Sequence, residues 1–319
     1  YINKVRLFIS LVMVLLSVQL SGQDFHFSQF KNSKSNINPA LSGEIKGDFL
    51  AVFQRRSQWA SISEPFNTLC LSLYIKNIYK DYSLGLNFIN DVAGLADFQT
   101  NGINISPSLK ILKMDKHNLT IGFGLAAFQR SYDLNSLTFY EDEQFVNQNN
   151  SFIDISLGTT YKHIITKNSI LELGLSAFHI NNPNQSFSNT YEDNTPTKYV
   201  SFLELNHEYS KLVLTPSIFY SHQLNQRELI FGCSFLDEIN YANREYIYSL
   251  GLYYRNKDAL IPQASISIEN IDLFVSYDIN ISELNKASNY YGAIEFSVLY
   301  NWNRKKSSTK NKFICPRYL

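Results

Sequence analysis

The sequence has few cysteines and few charged residues, and both shortages narrow the class of protein that it encodes. Its 319 residues include three cysteines, an odd and sparse number that provides no disulfide framework. Charged residues make up 18%, below the roughly 25% of average soluble domains. The 28 basic and 28 acidic residues balance, so no net charge directs the chain toward nucleic acid. We therefore expect neither a disulfide-rich domain nor a nucleic-acid-binding protein.

Long apolar runs are also scarce, and the mean hydropathy of -0.18 excludes a helical-bundle membrane protein. The apolar run at residues 7–20 follows the basic residues Lys4 and Arg6 and ends at the small residues 21–22. This run is short for a membrane span, so the pattern predicts a secretory signal peptide over residues 1–22. The alternative is that residues 1–22 remain attached to the protein as an uncleaved membrane anchor. No cysteine stands directly after the run, which argues against a lipoprotein.

Motifs for catalysis and metal binding are missing from the sequence. It contains no GxSxG elbow, HExxH pair, phosphate loop or dinucleotide fingerprint. The histidines lack the spacing of metal ligands, and we interpret each as a girdle or turn residue. They are His26, His117, His163, His179, His207 and His222. We expect no cofactor and no metal. The alternative is an enzyme that uses a serine and a histidine on the outer wall of a membrane barrel. His179 falls in the register predicted to face lipid, but nothing in the sequence pairs it with a nucleophile.

Residues 90–97 place carboxylates on both sides of a glycine. A calcium loop requires more oxygen ligands at fixed spacing. We interpret the segment as a hairpin turn in which Gly94 takes a positive φ.

The feature that the sequence has in abundance is alternation of apolar residues with small or polar ones. Between residues 118 and 127, Leu119 and Ile121 fall on one face, and Thr120 and Gly122 on the other. The same alternation recurs along nearly the whole chain, and acidic residues repeatedly take the polar face. An apolar exterior with a polar interior is typical of a transmembrane β-barrel. The aromatic content of 14% suits the aromatic girdles of such a barrel.

Fourteen segments have the alternation of membrane-crossing strands, and most are long enough for a tilted span of about 9–11 residues. They are residues 48–57, 67–76, 81–90, 97–112, 117–130, 152–163, 169–180, 197–208, 210–221, 226–237, 244–255, 258–268, 271–279 and 289–301. An even number returns both ends of the barrel to the periplasm. The sequence therefore predicts an all-β fold, a transmembrane antiparallel β-barrel of about 14 strands, of the outer-membrane type.

The lengths of the connections predict the orientation of the barrel. With the N-terminus in the periplasm, the two longest connections are extracellular, as is usual for such barrels. These are residues 131–151, with the acidic cluster Glu141, Asp142 and Glu143, and residues 181–196. We predict one domain with flanking segments. Its parts are the signal peptide 1–22, the N-terminal segment 23–46, the barrel 47–302 and a basic tail 303–319.

The N-terminal segment 23–46 has no strand periodicity. The N-terminal segment contains Phe25, Phe27 and Phe30, which must be shielded from water, so we predict that it plugs the lumen. Binding of this segment to a periplasmic partner is the alternative. We interpret the basic tail as a solvated end, with a contact to an acidic periplasmic partner as the alternative.

Several short motifs occur in a characteristic order along the chain. They are Gln23-Asp24-Phe25-His26-Phe27-Ser28-Gln29-Phe30, Asn38-Pro39-Ala40, Arg56-Ser57-Gln58-Trp59, Asn90-Asp91 with Gly94, and Phe128-Gln129-Arg130-Ser131. The series resembles the type IX secretion system membrane protein family, PorP/SprF, of the Bacteroidota, and the resemblance extends from Gln23 to about Trp302. Arg55 stands where the family usually has an aromatic residue.

The resemblance implies a protein of the cell outer membrane that is needed for type IX export. It implies contacts with outer-membrane lipid, with the periplasmic ring lipoprotein and its partner, and with a large secreted adhesin, in some cases for gliding motility. It implies no catalytic residues. The positions that we single out as motif or partner-binding residues are Asn38, Pro39, Arg56, Gln58, Trp59, Asn90, Asp91, Gly94, Gln129 and Arg130.

Arg56, Gln58 and Trp59 are predicted to lie at the outer end of the first strand. As structural residues, Trp59 is expected to anchor the membrane interface and Arg56 to be a lumen or rim charge. As functional residues, they are expected to help receive the secreted cargo. The alternative function for the whole chain is an outer-membrane channel or transporter for small or hydrophobic solutes.

Overall fold

The computed structural model describes residues 24–59, 64–94, 98–132, 148–188, 190–241, 244–282 and 290–304. Within these residues, fourteen antiparallel strands form one sheet that closes into a barrel, because β1 pairs with β14. The strands are β1 Phe49–Gln58, β2 Phe66–Tyr79, β3 Tyr82–Ala93, β4 Phe98–Lys113, β5 His117–Tyr132, β6 Gln148–Thr166, β7 Ser169–Phe178, β8 Lys198–Tyr209, β9 Leu212–Gln223, β10 Gln226–Tyr241, β11 Arg244–Arg255, β12 Ala259–Ile268, β13 Ile271–Asn280 and β14 Tyr291–Trp302.

The predicted all-β fold and the predicted number of strands are confirmed. The largest difference in bounds is in β6, which extends several residues beyond the predicted 152–163 at both ends. Helical structure among the described residues is confined to the N-terminal segment. It consists of α1, Lys34–Ile37, and two 3₁₀ turns, Phe30–Asn32 and Pro39–Gly43. No helix in the described part of the chain has the length and apolarity to cross a membrane.

The alternation of the sequence corresponds to the two faces of the barrel wall. In β5, Ile121, Phe123 and Leu125 are exposed on the outside, whereas Thr120 and Ala126 are buried on the inside. Successive side chains of a strand point to opposite faces, so every second residue contacts lipid. The predicted inward register of acidic residues is confirmed, since Asp154, Asp272 and Glu295 are buried in the lumen.

The two ends of the barrel differ in the length of their connections. At one end, residues such as 80–81, 114–116 and 210–211 join consecutive strands by turns of two or three residues. At the other end, connections extend to residues 133–147 and 179–197. Short turns face the periplasm in bacterial barrels, so we name the end with long connections the outer end. The predicted acidic cluster at residues 141–143 lies outside the described residues.

A stack of aromatic rings lies at the periplasmic end, beside the seam between β1 and β14. The rings of Phe49 and Trp302 are stacked with centroids 5.1 Å apart, and Tyr300 lies 5.3 Å from Trp302. Aromatic residues are favoured at the boundary between hydrocarbon and water, so this stack marks the periplasmic interface near the barrel seam.

The N-terminal segment, described from residue 24 to residue 46, lies inside the barrel. Its first residues contact the outer end, where Asp24 Oδ2 lies 2.8 Å from His179 Nε2. Its last residues contact the periplasmic end, where Glu44 Oε2 lies 2.7 Å from Lys162 Nζ. The segment therefore follows the lumen along its length before β1 begins. A barrel of 14 strands has a lumen wider than eight-strand barrels, whose side chains fill it, and this segment occupies that space.

An apolar core joins this segment to the barrel wall. Phe30 packs on Phe219 with ring centroids 5.0 Å apart, and Ile37 and Leu41 belong to the same buried cluster as Ile230. Burial of apolar surface stabilises by about 25 cal/mol per Å², so these contacts contribute to holding the segment in place.

Candidate functional site

Four charged side chains meet in the lumen, toward its outer end. They are Arg56 of β1, Arg255 of β11, Asp278 of β13 and Glu295 of β14, and all four are almost completely buried. We name them the central ion cluster. Arg56 lies 2.8 Å from an oxygen of Asp278 and 3.4 Å from an oxygen of Glu295. Arg255 lies 2.9 Å from the same oxygen of Asp278. Arg255 also lies 3.0 Å from an oxygen of Glu228 and 3.1 Å from an oxygen of Asp258, so acidic side chains outnumber the two arginines here.

The N-terminal segment supplies the polar groups that complete this cluster. The Ser28 hydroxyl donates to Asp278 at 2.7 Å and accepts from both Arg56 and Arg255. The backbone N–H groups of Ser28 and Gln29 donate to the two carboxylate oxygens of Glu295. A buried charge is costly unless it is paired and hydrogen-bonded. The hydrogen bonds from the N-terminal segment therefore stabilise the buried charges, and the same bonds hold the segment in the lumen.

Asn38 and Pro39 hold the segment against the opposite wall. The Asn38 side chain donates to the backbone carbonyls of Thr159 and Leu175, at 3.0 and 3.1 Å, and its oxygen accepts from Ala40 N at 2.9 Å. Pro39 begins a 3₁₀ turn, a position where its missing N–H costs nothing. A Cβ atom at Gly122 would overlap the backbone of this turn, so the close approach requires glycine there.

A second ion group holds the first residues of the segment at the outer end of the lumen. Asp24 lies 2.8 Å from His179 Nε2 and 3.6 Å from Lys198 Nζ, and His179 Nδ1 lies 3.0 Å from Asp154. Burial alone lowers the pKa of His179, but Asp24 and Asp154 outweigh it and raise the pKa to about 9. Burial likewise acts to raise the pKa of Asp24, but Lys198 and His179 bring it well below its usual range.

The prediction that His179 faces lipid is wrong. Strand β7 ends at Phe178, and His179 takes a left-handed backbone conformation with φ 56°. This conformation breaks the alternation of the strand, so the imidazole turns into the lumen. His26 also lies in the lumen rather than in a girdle or turn, and burial first of all lowers its pKa to about 3, leaving the ring neutral.

A cavity of about 1160 Å³ lies above the central ion cluster, at the outer end of the lumen. We name it the outer cavity. Its floor includes Asp24, Phe25 and His26 of the N-terminal segment. Its walls combine rings and charges from many strands and loops. Among them are Trp59, Phe66, Phe98, Phe128, Phe152, Tyr191, Arg130, Lys198, Arg227 and Asp258. Pockets that bind peptides or small molecules combine apolar surface with a few placed polar groups in this way.

Arg130 presents its guanidinium between two rings of the outer cavity. The group lies 5.9 Å from the Phe98 centroid and 5.5 Å from the Phe152 centroid, within cation–π range. Across the described residues, no salt bridge is formed by Arg130. Its planar donors are therefore held rigidly and are available to a carboxylate or a backbone carbonyl.

Trp59 lines the outer cavity, whereas the structural interpretation of the sequence placed it at the membrane interface. Its backbone has φ 61°, and its ring packs edge-on against Phe66 with centroids 4.8 Å apart. Gln58 and Asp91 line the same cavity, and Asp91 accepts a hydrogen bond from the Thr68 hydroxyl at 2.6 Å. The prediction that Arg56 is a lumen charge agrees with its position in the central ion cluster.

The remaining predicted positions do not meet in the lumen. Asn90 and Gln129 point outward from β3 and β5, and Asn90 donates to the Asn101 side chain at 2.9 Å. Asn90 and Asp91 belong to β3 and not to a hairpin turn as predicted, because β3 continues to Ala93. Gly94 has φ 71°, as expected for a turn glycine. No group of three or more potential metal ligands is present among the described residues.

A model of the type IX secretion system membrane protein family PorP/SprF matches residues 19–300. The chain belongs to this family. The resemblance drawn from the sequence motifs is thereby confirmed. No curated protein matches this PorP/SprF chain significantly.

Several solved structures are similar to this PorP/SprF chain. The CymD monoaromatic hydrocarbon channel is 10% identical, with 89% of this chain and 95% of that chain covered and a TM-score of 0.49. The Pseudomonas putida toluene transporter TodX is 10% identical, with coverages of 87% and 94% and a TM-score of 0.48. CdiB from Acinetobacter baumannii is 9% identical, with a TM-score of 0.46, and the chain spans only 60% of its length. At such identities a shared substrate does not follow.

The sequence reasoning missed the partners of Arg56 in this PorP/SprF barrel. Asp278 is 222 positions away along the chain and Glu295 is 239 positions away. Their inward register was visible in the alternation, but no local pattern indicates which of the inward charges meet. Only closure of the ring brings β1 beside β14 and β13.

Proposed function

We propose that this PorP/SprF chain is an outer-membrane component of the type IX secretion system that supports export or surface anchoring of a large secreted adhesin through protein–protein contacts. The adhesin binds at the outer cavity, and the periplasmic end contacts the ring lipoprotein and its partner. Where the adhesin drives gliding, the protein serves motility. The role includes no catalytic step.

The observation that supports this role is the outer cavity with a floor made of the protein's own N-terminal segment. A cavity of about 1160 Å³ is large enough for several side chains of a partner. Trp59 and Arg130 line it, and tryptophan and arginine are the residue types most enriched among side chains that dominate protein–protein binding. Because this floor separates the outer cavity from the rest of the lumen, the cavity suits binding of a partner better than passage of a solute.

The filled lumen supports docking over the alternative of a solute channel. The N-terminal segment contacts the wall from Asp24 to Glu44, and the central ion cluster bonds to it at Ser28 and Gln29. A solute channel would require this segment to leave the lumen. Such a movement would strip hydrogen bonds from buried Glu295 and Asp278, which is expensive.

The test uses Trp59→Ala and Arg130→Gln in the natural host. We expect each variant to reduce surface display of the adhesin to about a tenth or less, because a binding residue of this kind contributes about 2 kcal/mol. Display is measured with an antibody on intact cells. The barrel level in the outer membrane is measured in parallel and is expected to stay normal.

Phe123→Ala is the matched control, since Phe123 is exposed on the outer wall in the middle of β5, away from the outer cavity and from the periplasmic end. It should leave display unchanged. Normal display in both cavity variants would contradict the proposal. Reduced barrel levels would assign Trp59 a structural role, and free ion conduction by the reconstituted chain with unaltered display would favour the channel.

A further inference from the structure

The outer wall of strands β1 to β6 carries a row of polar side chains. In the register of the sheet, Arg55 is opposite Leu69, Leu69 opposite Asn90, and Asn90 opposite Asn101. Asn101 is opposite Gln129, and Gln129 opposite Ser151. Each of these six residues lies three positions from the outer end of its strand. We name Arg55, Asn90, Asn101, Gln129 and Ser151 the outer polar row.

The next outward row toward the periplasm is entirely apolar. It consists of Phe53, Leu71, Phe88, Ile103, Ala127 and Ile153, paired in the same order. Phe53, Leu71 and Ile103 expose 38%, 43% and 59% of their surface. On each of these strands except β2, where Leu69 is apolar, the change from hydrocarbon-contacting to polar side chains occurs within two residues, so the outer polar row begins where the hydrocarbon ends.

Rings are more frequent near the outer end on the other side of the barrel. On β8, β9, β11 and β14, the outward positions near the outer end include Tyr199, Tyr220, Tyr254 and Tyr291. A tyrosine girdle is the ordinary solution for a membrane interface. On β3, β4 and β5, amide side chains take the place of rings. We therefore expect a polar molecule to contact the barrel on that side.

Arg55 is the only charge in the row, and it is exposed. No described residue forms a salt bridge or hydrogen bond with it, in contrast to Arg56, its neighbour in sequence. A cation on the lipid face destabilises the barrel, and the free-energy cost increases with the depth of the charge in the bilayer. An anion from the lipid that reaches the guanidinium would remove this cost, because arginine matches phosphate in bidentate fashion.

The amides beside Arg55 supply complementary chemistry. Asn90 donates to Asn101, and Gln99 also donates to the Asn101 oxygen, so the amides are held in a fixed arrangement. Gln129 is exposed next to them. Each amide offers both donors and an acceptor, which is the combination that pairs with sugar hydroxyls.

We infer that the outer polar row binds the phosphorylated saccharide headgroup of a glycolipid in the outer leaflet. Arg55 pairs with a phosphate, and Asn90, Asn101 and Gln129 bond to sugar hydroxyls, while the apolar row below contacts the acyl chains. The site lies on the outside of the wall. It is therefore separate from the outer cavity and does not depend on the proposed adhesin contact.

The test measures binding of purified, phosphorylated lipopolysaccharide to the full chain in detergent by native mass spectrometry. Arg55→Gln should weaken binding at least about tenfold, because a charge-assisted bond is lost. Asn101→Leu should also weaken it, and enzymatic dephosphorylation of the lipid should abolish the difference between Arg55→Gln and the parent. Lys113→Gln is the control cation and should bind as the parent does.

Folding of each variant is verified by heat-modifiable mobility on a gel, since the changed side chains are outside the core. Equal binding by the parent and Arg55→Gln would overturn the inference. Equal binding of phosphatidylglycerol, unaffected by Asn101→Leu, would overturn the saccharide part. A photocrosslinker at position 55 that captures a membrane protein, with no glycolipid bound, would overturn it in favour of a protein partner.

Discussion

Two adjacent arginines in β1 have opposite environments, and the difference predicts their contributions to stability. Arg56 is buried in the lumen against Asp278 and Glu295, whereas Arg55 is exposed on the outer wall. Removing one partner of a buried ion pair costs about 3–5 kcal/mol, because the other charge is left uncompensated. Arg56→Met should therefore lower the free energy of unfolding by this amount.

Arg55→Met is the matched control for this measurement, and it should change the free energy of unfolding by less than about 1 kcal/mol, since a cation near the interface costs little. Unfolding is followed in urea on detergent-solubilised protein by the change of gel mobility. Equal destabilisation by the two variants would show that the central ion cluster does not stabilise the folded barrel.

At the scale of the structural element, the N-terminal segment is the piece whose removal has the clearest consequence. It fills the lumen from Asp24 to Glu44. Deletion of residues 24–46 should open the barrel, because the lumen of a 14-strand barrel is too wide for the wall side chains to fill. We expect steady single-channel conductance in planar bilayers from the deletion variant and none from the parent chain.

The control for the deletion is a chain shortened by residues 305–319, which retains every contact described for the lumen. It should remain closed. An unchanged closed state after deletion of residues 24–46 would mean that loops at the outer end, rather than the segment, close the lumen.

The strands could be predicted from the sequence because alternation is a local signal. Successive side chains of a strand face lipid and lumen alternately. About ten residues therefore suffice to recognise a strand, as in β5 or β11. The ends were less accurate because a strand such as β6 continues beyond the residues in which apolar and polar side chains alternate clearly. The register of His179 was wrong for a related reason, since one left-handed residue reverses the face of the side chain.

The candidate site could be predicted only in part. Arg56, Gln58, Trp59, Asp91 and Arg130 all line the outer cavity, as expected of positions at the outer ends of strands. The same motifs also contain Asn90 and Gln129, which point to the opposite face, because neighbours in a strand alternate. The path of the N-terminal segment has no periodic signal and depends on single bonds such as that of Ser28 to Asp278.

At the scale of the whole molecule, orientation connects the two surfaces to their partners. The outer cavity and the outer polar row both lie at the end with long connections, while β1 begins and β14 ends at the end with short turns. If the long connections face the cell exterior, the cavity is available to a secreted adhesin and the row meets the outer leaflet. A reversed barrel would place both in the periplasm.

Labelling of intact cells decides the orientation. Glu192→Cys lies in the connection 179–197 and Lys211→Cys in the turn 210–211, and both positions are exposed. A membrane-impermeant maleimide should label Glu192→Cys in intact cells and Lys211→Cys only after the outer membrane is permeabilised. The parent chain measures the background from its own cysteines. Labelling of Lys211→Cys in intact cells would show that the barrel has the opposite orientation. Both proposed binding surfaces would then be wrong, because neither would face the side on which its partner is found.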